Sequence, residues 1–168
     1  IQQPNHKLIA GGTDLLPRLR RNAGTGAPAL IDLSRFSALR FIRQSGKTIE
    51  IGALTTHHEL ANSDLLHSCA PGLVEAAARI GSEQTRARAT LGGNIANASP
   101  AADTLPPLLC LNTQVVLTSL EGSRALPLQD FLAGPGKTLQ QADEMISSVR
   151  FTLPKHPFSF KFDKLGRR

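Results

Sequence analysis

The chain has 168 residues, a formal net charge of +6, 40% apolar residues and 19% charged residues, which suits one or two small domains with a real core and excludes a disordered segment. Trp and Tyr are absent and the seven Phe are not interleaved with the 19 Lys and Arg, so a base-stacking nucleic-acid surface is not indicated. No unbroken apolar run has the length of a membrane span, and no secretory leader pattern is present. Cys69 and Cys110 lack CxxC spacing, so they do not by themselves hold an iron–sulfur cluster or a structural zinc; they read as buried thiols of a cytoplasmic protein. The arginines at 18–21, 86–88 and 167–168 fit a solvated face, a diphosphate neighbour or a subunit contact. The first residue is Ile1 rather than Met, and the sequence stops on a basic end with no turn signal; a fragment of a longer polypeptide is expected.

Residues 7–10 form a short apolar strand candidate. Thr13 or Asp14 can cap a helix through Leu15, Leu16 and Leu19 to about Arg21, with Pro17 tolerated early and residues 22–26 ending it. Residues 29–33 are a second strand, and residues 39–42 and 48–51 a third and fourth joined by a turn at 44–47. This first part reads as a small α/β unit over residues 1–54. Thr56 or His57 starts a short helix through Leu60, and residues 72–80 carry Leu73, Ala76, Ala77 and Ile80 at helical spacing. Residues 86–88 are expected to be extended, with Arg86 and Arg88 on one face. Residues 103–111 form a short segment broken by Pro106 and Pro107. Extended stretches follow at 114–120, 123–128 and 145–153, so residues 55–168 read as an antiparallel sheet with helices at one side. The join is expected near residues 52–58.

Two double-glycine motifs stand out: Ala10-Gly11-Gly12-Thr13-Asp14-Leu15 and Thr90-Leu91-Gly92-Gly93-Asn94-Ile95. Glycine lets the main chain approach a ligand closely and reach positive φ. Taken alone the first motif reads first as an ordinary strand–turn–helix corner, and second as an anion site built from main-chain N–H groups. It is not GxGxxG, so a Rossmann unit is not indicated. The second motif runs on to Asp103 through small residues, two Asn and a Thr, with almost nothing bulky. Asn94 and Thr90 suit phosphate oxygens and Asp103 suits ribose or ribityl hydroxyls; a polar loop packed on a helix is the plainer reading. Together the two motifs point to a diphosphate held between facing loops.

Other patterns carry no chemistry. The segment Gly134-Pro135-Gly136-Lys137-Thr138 imitates a P-loop but has Phe131 where the first glycine belongs. His57 and His58 are adjacent and cannot both face one metal from a regular element, so they read as capping or surface histidines. Ser34, Ser99 and Ser159 have no nucleophile elbow.

The two motifs, with Ile80-Gly81-Ser82-Glu83-Gln84, Arg86, Arg88, Ser99-Pro100, Asp103 and the terminal Lys164-Leu165-Gly166-Arg167-Arg168, resemble the FAD-binding medium subunit of molybdenum hydroxylases of the xanthine dehydrogenase and carbon monoxide dehydrogenase type. The resemblance implies an α+β, vanillyl-alcohol-oxidase-type (PCMH-type) FAD-binding fold, with a small N-terminal α/β subdomain (1–54) and an antiparallel-sheet subdomain (55–168). It implies that FAD lies against Lys7, Leu8, Ile9, Ala10, Gly11, Gly12, Thr13, Asp14, Thr90, Leu91, Gly92, Gly93 and Asn94. It also places Asp103 on ribityl or ribose hydroxyls, Ile146 near the adenine or the isoalloxazine edge, and Lys164 near the flavin or its phosphates. Relatives of this type carry a further N-terminal strand and helix and a C-terminal domain that this sequence lacks. The implied role is an oxidoreductase component: electrons from substrate oxidised at molybdopterin in a large subunit pass through 2Fe–2S centres of a small subunit to this FAD, and on to NAD or another acceptor. No catalytic side chain and no metal ligand is expected in this chain, because the flavin supplies the chemistry. The alternative is a degenerate flavin domain that serves only as a scaffold.

Overall fold

The computed structural model describes residues 6–21, 28–154 and 159–165. The first part is a parallel pair with its crossover: β1 (His6–Ile9), α1 (Leu15–Arg21) and β2 (Ala29–Asp32), with His6 opposite Ala29 and Ile9 opposite Asp32. Parallel strands need such a crossover connection. Arg18, Arg20 and Arg21 fall in the last turn of α1, at the negative end of its dipole. No residue of α1 or β2 is buried, so this unit adds little to the core. The expected end of the helix at 22–26 lies outside the described residues.

β3 (Ile42–Ser45) and β4 (Thr48–Gly52) form a hairpin whose turn passes through Gly46 at φ +58°, where glycine meets no Cβ penalty. Sequence reasoning groups these strands with the first unit. Their pairing puts them elsewhere, in a five-stranded antiparallel sheet of order β3–β4–β9–β5–β6, completed by β5 (Gln114–Ser119), β6 (Gly122–Pro127) and β9 (Met145–Thr152). A boundary after residue 54 would separate β4 from β9, its partner from Thr48 opposite Thr152 to Gly52 opposite Ser148.

Period-two alternation sets the inner face of the sheet: Ile49, Ile51, Val115, Leu117, Val149 and Phe151 are buried. Against it pack the apolar faces of α2 (His57–Ala61), α3 (Asp64–Cys69), α4 (Pro71–Ala78), α6 (Leu91–Asn97), α7 (Leu105–Cys110) and α8 (Leu128–Phe131). Leu60, Leu66, Leu73, Leu91, Ile95 and Leu108 are each fully enclosed, worth about 1.5–3 kcal/mol apiece in area removed from water. A bulge sits opposite the step from Val116 to Leu117, where Ser147 has no counterpart on β5; its hydroxyl donates to the Val116 carbonyl and accepts from the Thr118 hydroxyl.

Four expectations change. Residues 83–88 are helix α5 (Glu83–Arg88), not extended, so Arg86 and Arg88 do not share a face; Arg86 instead donates to the carbonyls of Ile80 and Gly81. Residues 91–97, read as loop, are helix α6. Pro106 and Pro107 do not break the segment but occupy the first turn of α7, where a missing N–H costs nothing. Cys69 is half-buried and Cys110 exposed, rather than both buried.

Beyond α8, β7 (Leu132–Gly134) and β8 (Lys137–Thr138) form a small hairpin, and residues 139–144 return to β9. Residues 159–165 lie back over the helices. Phe160 abuts Gly72, the Phe162 ring lies 5.8 Å from the Arg79 guanidinium, and Lys164 Nζ meets Asp103 at 2.9 Å. Residues 166–168 of the expected terminal motif lie outside the described residues. Among the described residues, no helix is long and apolar enough to cross a membrane, and no group of three or more His, Cys, Asp and Glu is placed to hold a metal.

Candidate functional site

The strand–turn–helix corner at 9–15 is built as its residues suggest. Gly12 takes φ +72°, its carbonyl accepts from Leu16 N–H at 3.0 Å, and the Asp14 carbonyl accepts from Arg18 N–H at 3.2 Å. Gly11 answers a different need. A Cβ there would overlap the carbonyl oxygen of Arg88, so the corner touches the main chain just before Thr90.

The second motif is anchored from the other side. His57 N–H donates to the Ala89 carbonyl at 3.0 Å, and Leu91 and Gly92 N–H donate to the carbonyls of Thr55 and Ala53, each at 2.9 Å. Thr90 then caps α6, its hydroxyl accepting from Gly93 N–H at 3.2 Å. A Cβ on Gly92 would come within 2.6 Å of the Ala53 Cβ and 2.9 Å of its carbonyl oxygen, so this glycine lets helix meet strand end closely. Gly93 is exposed, with only the Thr90 hydroxyl near its missing Cβ. The Thr104 hydroxyl donates to Asn94 Oδ1 at 2.8 Å, so what Asn94 offers the cleft is donation from Nδ2.

The two motifs thereby face each other across an open cleft of about 420 Å³, within the usual range for a small-molecule site. Lys7, Leu8, Ile9, Ala10, Gly11, Gly12, Thr13 and Asp14 line one side; Thr90, Gly93 and Asn94 line the other. Arg18 lines it too and donates to Asn97 Oδ1, tying α1 to the end of α6. A third wall was not legible in the sequence: Thr138, Gln140, Gln141, Ala142 and Glu144. It is fastened at both ends, by Gly136 N–H on the Ala98 carbonyl at 2.9 Å and by Arg124 on Glu144.

Five expected site residues are not among those lining the cleft. Leu91 and Ile146 are buried in the core cluster, Leu91 as the inward residue of the first turn of α6 and Ile146 opposite Leu117 in the sheet. Gly92 packs on Ala53. Asp103 and Lys164 are paired with each other.

His57 is not a surface or capping histidine; Thr56 is the cap, with Glu59 closing a capping box, and the His57 ring is fully buried. Neither ring nitrogen has a hydrogen-bond partner. Burial pushes its pKa down to about 4, only partly opposed by the Asp103 carboxylate. His58 is exposed, as read.

A parallel βα corner and a capped helix, each led by a glycine pair and converging on one cleft beside an antiparallel sheet, define an α+β cofactor-binding domain. The chain belongs to the family described as "FAD binding domain in molybdopterin dehydrogenase", which it matches over residues 1–155. It is 39% identical over 163 residues, 96% of this chain and 54% of the relative, to the 6-hydroxypseudooxynicotine dehydrogenase complex subunit alpha of Paenarthrobacter nicotinovorans. It is 34% identical over 155 residues, 92% of this chain and 52% of the relative, to the xanthine dehydrogenase FAD-binding subunit of Escherichia coli O157:H7. A chain of the carbon monoxide dehydrogenase from Hydrogenophaga pseudoflava matches the structure with a TM-score of 0.92 at 32% identity, covering 99% of this chain and 57% of that one. These matches bear out the vanillyl-alcohol-oxidase-type fold. The chain spans about half the length of these relatives.

Proposed function

We propose that this chain holds FAD in the cleft and serves as the flavin-bearing, electron-transfer subunit of a molybdenum hydroxylase. The observation that carries the reading is the contact of Gly11 with the Arg88 carbonyl, because it brings the two glycine motifs together on one cleft. The residues fit the group. Backbone N–H groups of the 10–14 corner, the Thr90 hydroxyl, the Asn94 amide and the cations Lys7 and Arg18 border the cleft, a combination suited to a diphosphate.

In this reading residues 10–14 and Gly93 lie against the diphosphate, Thr90 and Asn94 donate to it, and the walls exclude water from the bound group. Bound flavin supplies two-electron and one-electron redox chemistry. The partners are a molybdopterin-binding large subunit and a 2Fe–2S small subunit, with NAD or another molecule as the acceptor and the cytoplasm as the compartment. The family match, the named relatives and two free thiols support this assignment.

The native protein is expected to carry FAD, seen as visible flavin absorbance and identified after release by chromatography. Gly11→Val is expected to abolish retention while the sheet still folds. A folded native protein that neither carries nor binds FAD sinks the reading. Flavin that binds but is never reduced by the partner subunits favours the scaffold role.

A further inference from the structure

The third wall places an acidic residue beside a cleft suited to an anion. Glu144 lines the cleft, its side chain is 7% exposed, and it is the one buried carboxylate among the described residues. Asp14 also lines the cleft but is exposed, so water screens its charge. Glu144 is not left alone. Arg124, on the edge strand β6, sends Nε to Oε1 at 2.5 Å and Nη2 to Oε2 at 2.9 Å, a two-pronged pairing across 20 residues of sequence. The same Nη2 donates to the Leu139 carbonyl at 3.0 Å, and Gln141 N–H donates to Oε2 at 2.8 Å. Arg124 holds the Glu144 carboxyl below the usual range, so Glu144 stays ionised and its charge must be balanced.

We propose that Arg124 is a charge-masking and positioning residue of the cofactor cleft, neutralising Glu144 so that the wall at 138–144 can close on an anionic ligand. Arg124 does not itself line the cleft; it acts through Glu144. The proposal rests on the cleft holding a diphosphate-bearing cofactor. Removing Arg124 leaves an unbalanced negative charge in the wall beside the ligand, which is worse than removing both partners.

The test is titration of the flavin-stripped native complex with FAD, and separately with ADP, at low and high salt. Arg124→Gln is expected to weaken FAD by about tenfold, as loss of the cation beside a shielded carboxylate does, and high salt is expected to shrink the loss. Adding Glu144→Gln to Arg124→Gln is expected to restore much of the affinity. Arg124→Lys, which keeps the charge without the fork, is expected to fall between wild type and Arg124→Gln. Arg43→Gln, which breaks the comparable Arg43–Glu50 pair on the opposite edge of the sheet, is the control and is expected to change nothing. Wild-type affinity in Arg124→Gln, or a double variant no tighter than Arg124→Gln, overturns the proposal. Should Arg124→Gln fail to fold, Arg124→Lys as weak as a glycine-loop variant overturns it. Wild-type protein that binds ADP in an Arg124-dependent way but not FAD sinks the flavin reading alone; protein that binds neither sinks both.

Discussion

Around Gly11 and Gly12 none of the residues of β1, α1 and β2 is buried, whereas Gly92 and Gly93 open a helix whose Leu91 and Ile95 are fully enclosed. The two motifs look alike, yet one rests on the molecule and the other is built into it. In each pair one glycine serves contact between main chains, Gly11 on Arg88 and Gly92 on Ala53. The other glycine of each pair serves the cleft: Gly12 turns the chain at positive φ, and Gly93 leaves the cleft open. The second motif is therefore a fixed wall. Among the described residues the first meets it through the Gly11 contact and the Arg18–Asn97 hydrogen bond and contributes no buried residue, which places it toward the low-stability end from which ligand-gripping segments are drawn.

The largest expected effect tests that contrast in stability. Leu91→Ala empties an enclosed site and is expected to cost about 4 kcal/mol in urea unfolding. Leu16→Ala, at a 40%-exposed position on the helix of the first corner, is expected to cost less than about 0.5 kcal/mol. Equal losses would break the comparison.

A second effect, of about 3 kcal/mol, concerns the fixed wall alone and depends on pH. His57 lies beside Ala89 with a folded pKa of about 4 against an ordinary 6.5. The unfolded chain therefore binds the proton that the native state refuses between these values. Stability falls as pH drops through that window, by about 1.36 kcal/mol for each pH step of one. Glu50 and Glu144, held below their usual range, cost stability in the same direction on further acidification. The difference between wild type and His57→Leu isolates the histidine. An identical pH slope in both proteins would show that the ring is not what resists acid.

Much of this architecture was legible in the sequence. Alternation in residues 48–52, 114–119 and 145–152 marked the core strands, and the glycine, threonine and aspartate at 11–14 marked the first corner. Helix α6 was not legible because two glycines and two asparagines are poor helix formers; packing on Ala53 and the Thr90 cap override that local preference. Helix α5 has no apolar stripe to reveal it, since none of its residues is buried. The placement of the β3–β4 hairpin was missed because β9, the partner of β4, lies about a hundred residues away, and no local pattern encodes that pairing. The third wall escaped for the same reason: Arg124 and Glu144 are ordinary surface residue types until β6 and the 139–144 return bring them together.

The smallest effect sharpens the comparison at its meeting point, Thr90. Its hydroxyl caps α6 through Gly93 N–H, and the residue also lines the cleft. Thr90→Ala is expected to cost about 1 kcal/mol of stability, the usual loss of a helix cap. Thr90→Ser keeps the oxygen and should restore that stability. If the hydroxyl acts on the cofactor only by fixing the start of α6, Ser restores FAD affinity in step with the melting temperature. If it also donates directly to the bound group, Ala loses more affinity than its stability loss accounts for. Equal affinity in all three proteins would remove Thr90 from the site and leave the second motif a structural wall whose contribution to the cleft is the bare main chain at Gly93.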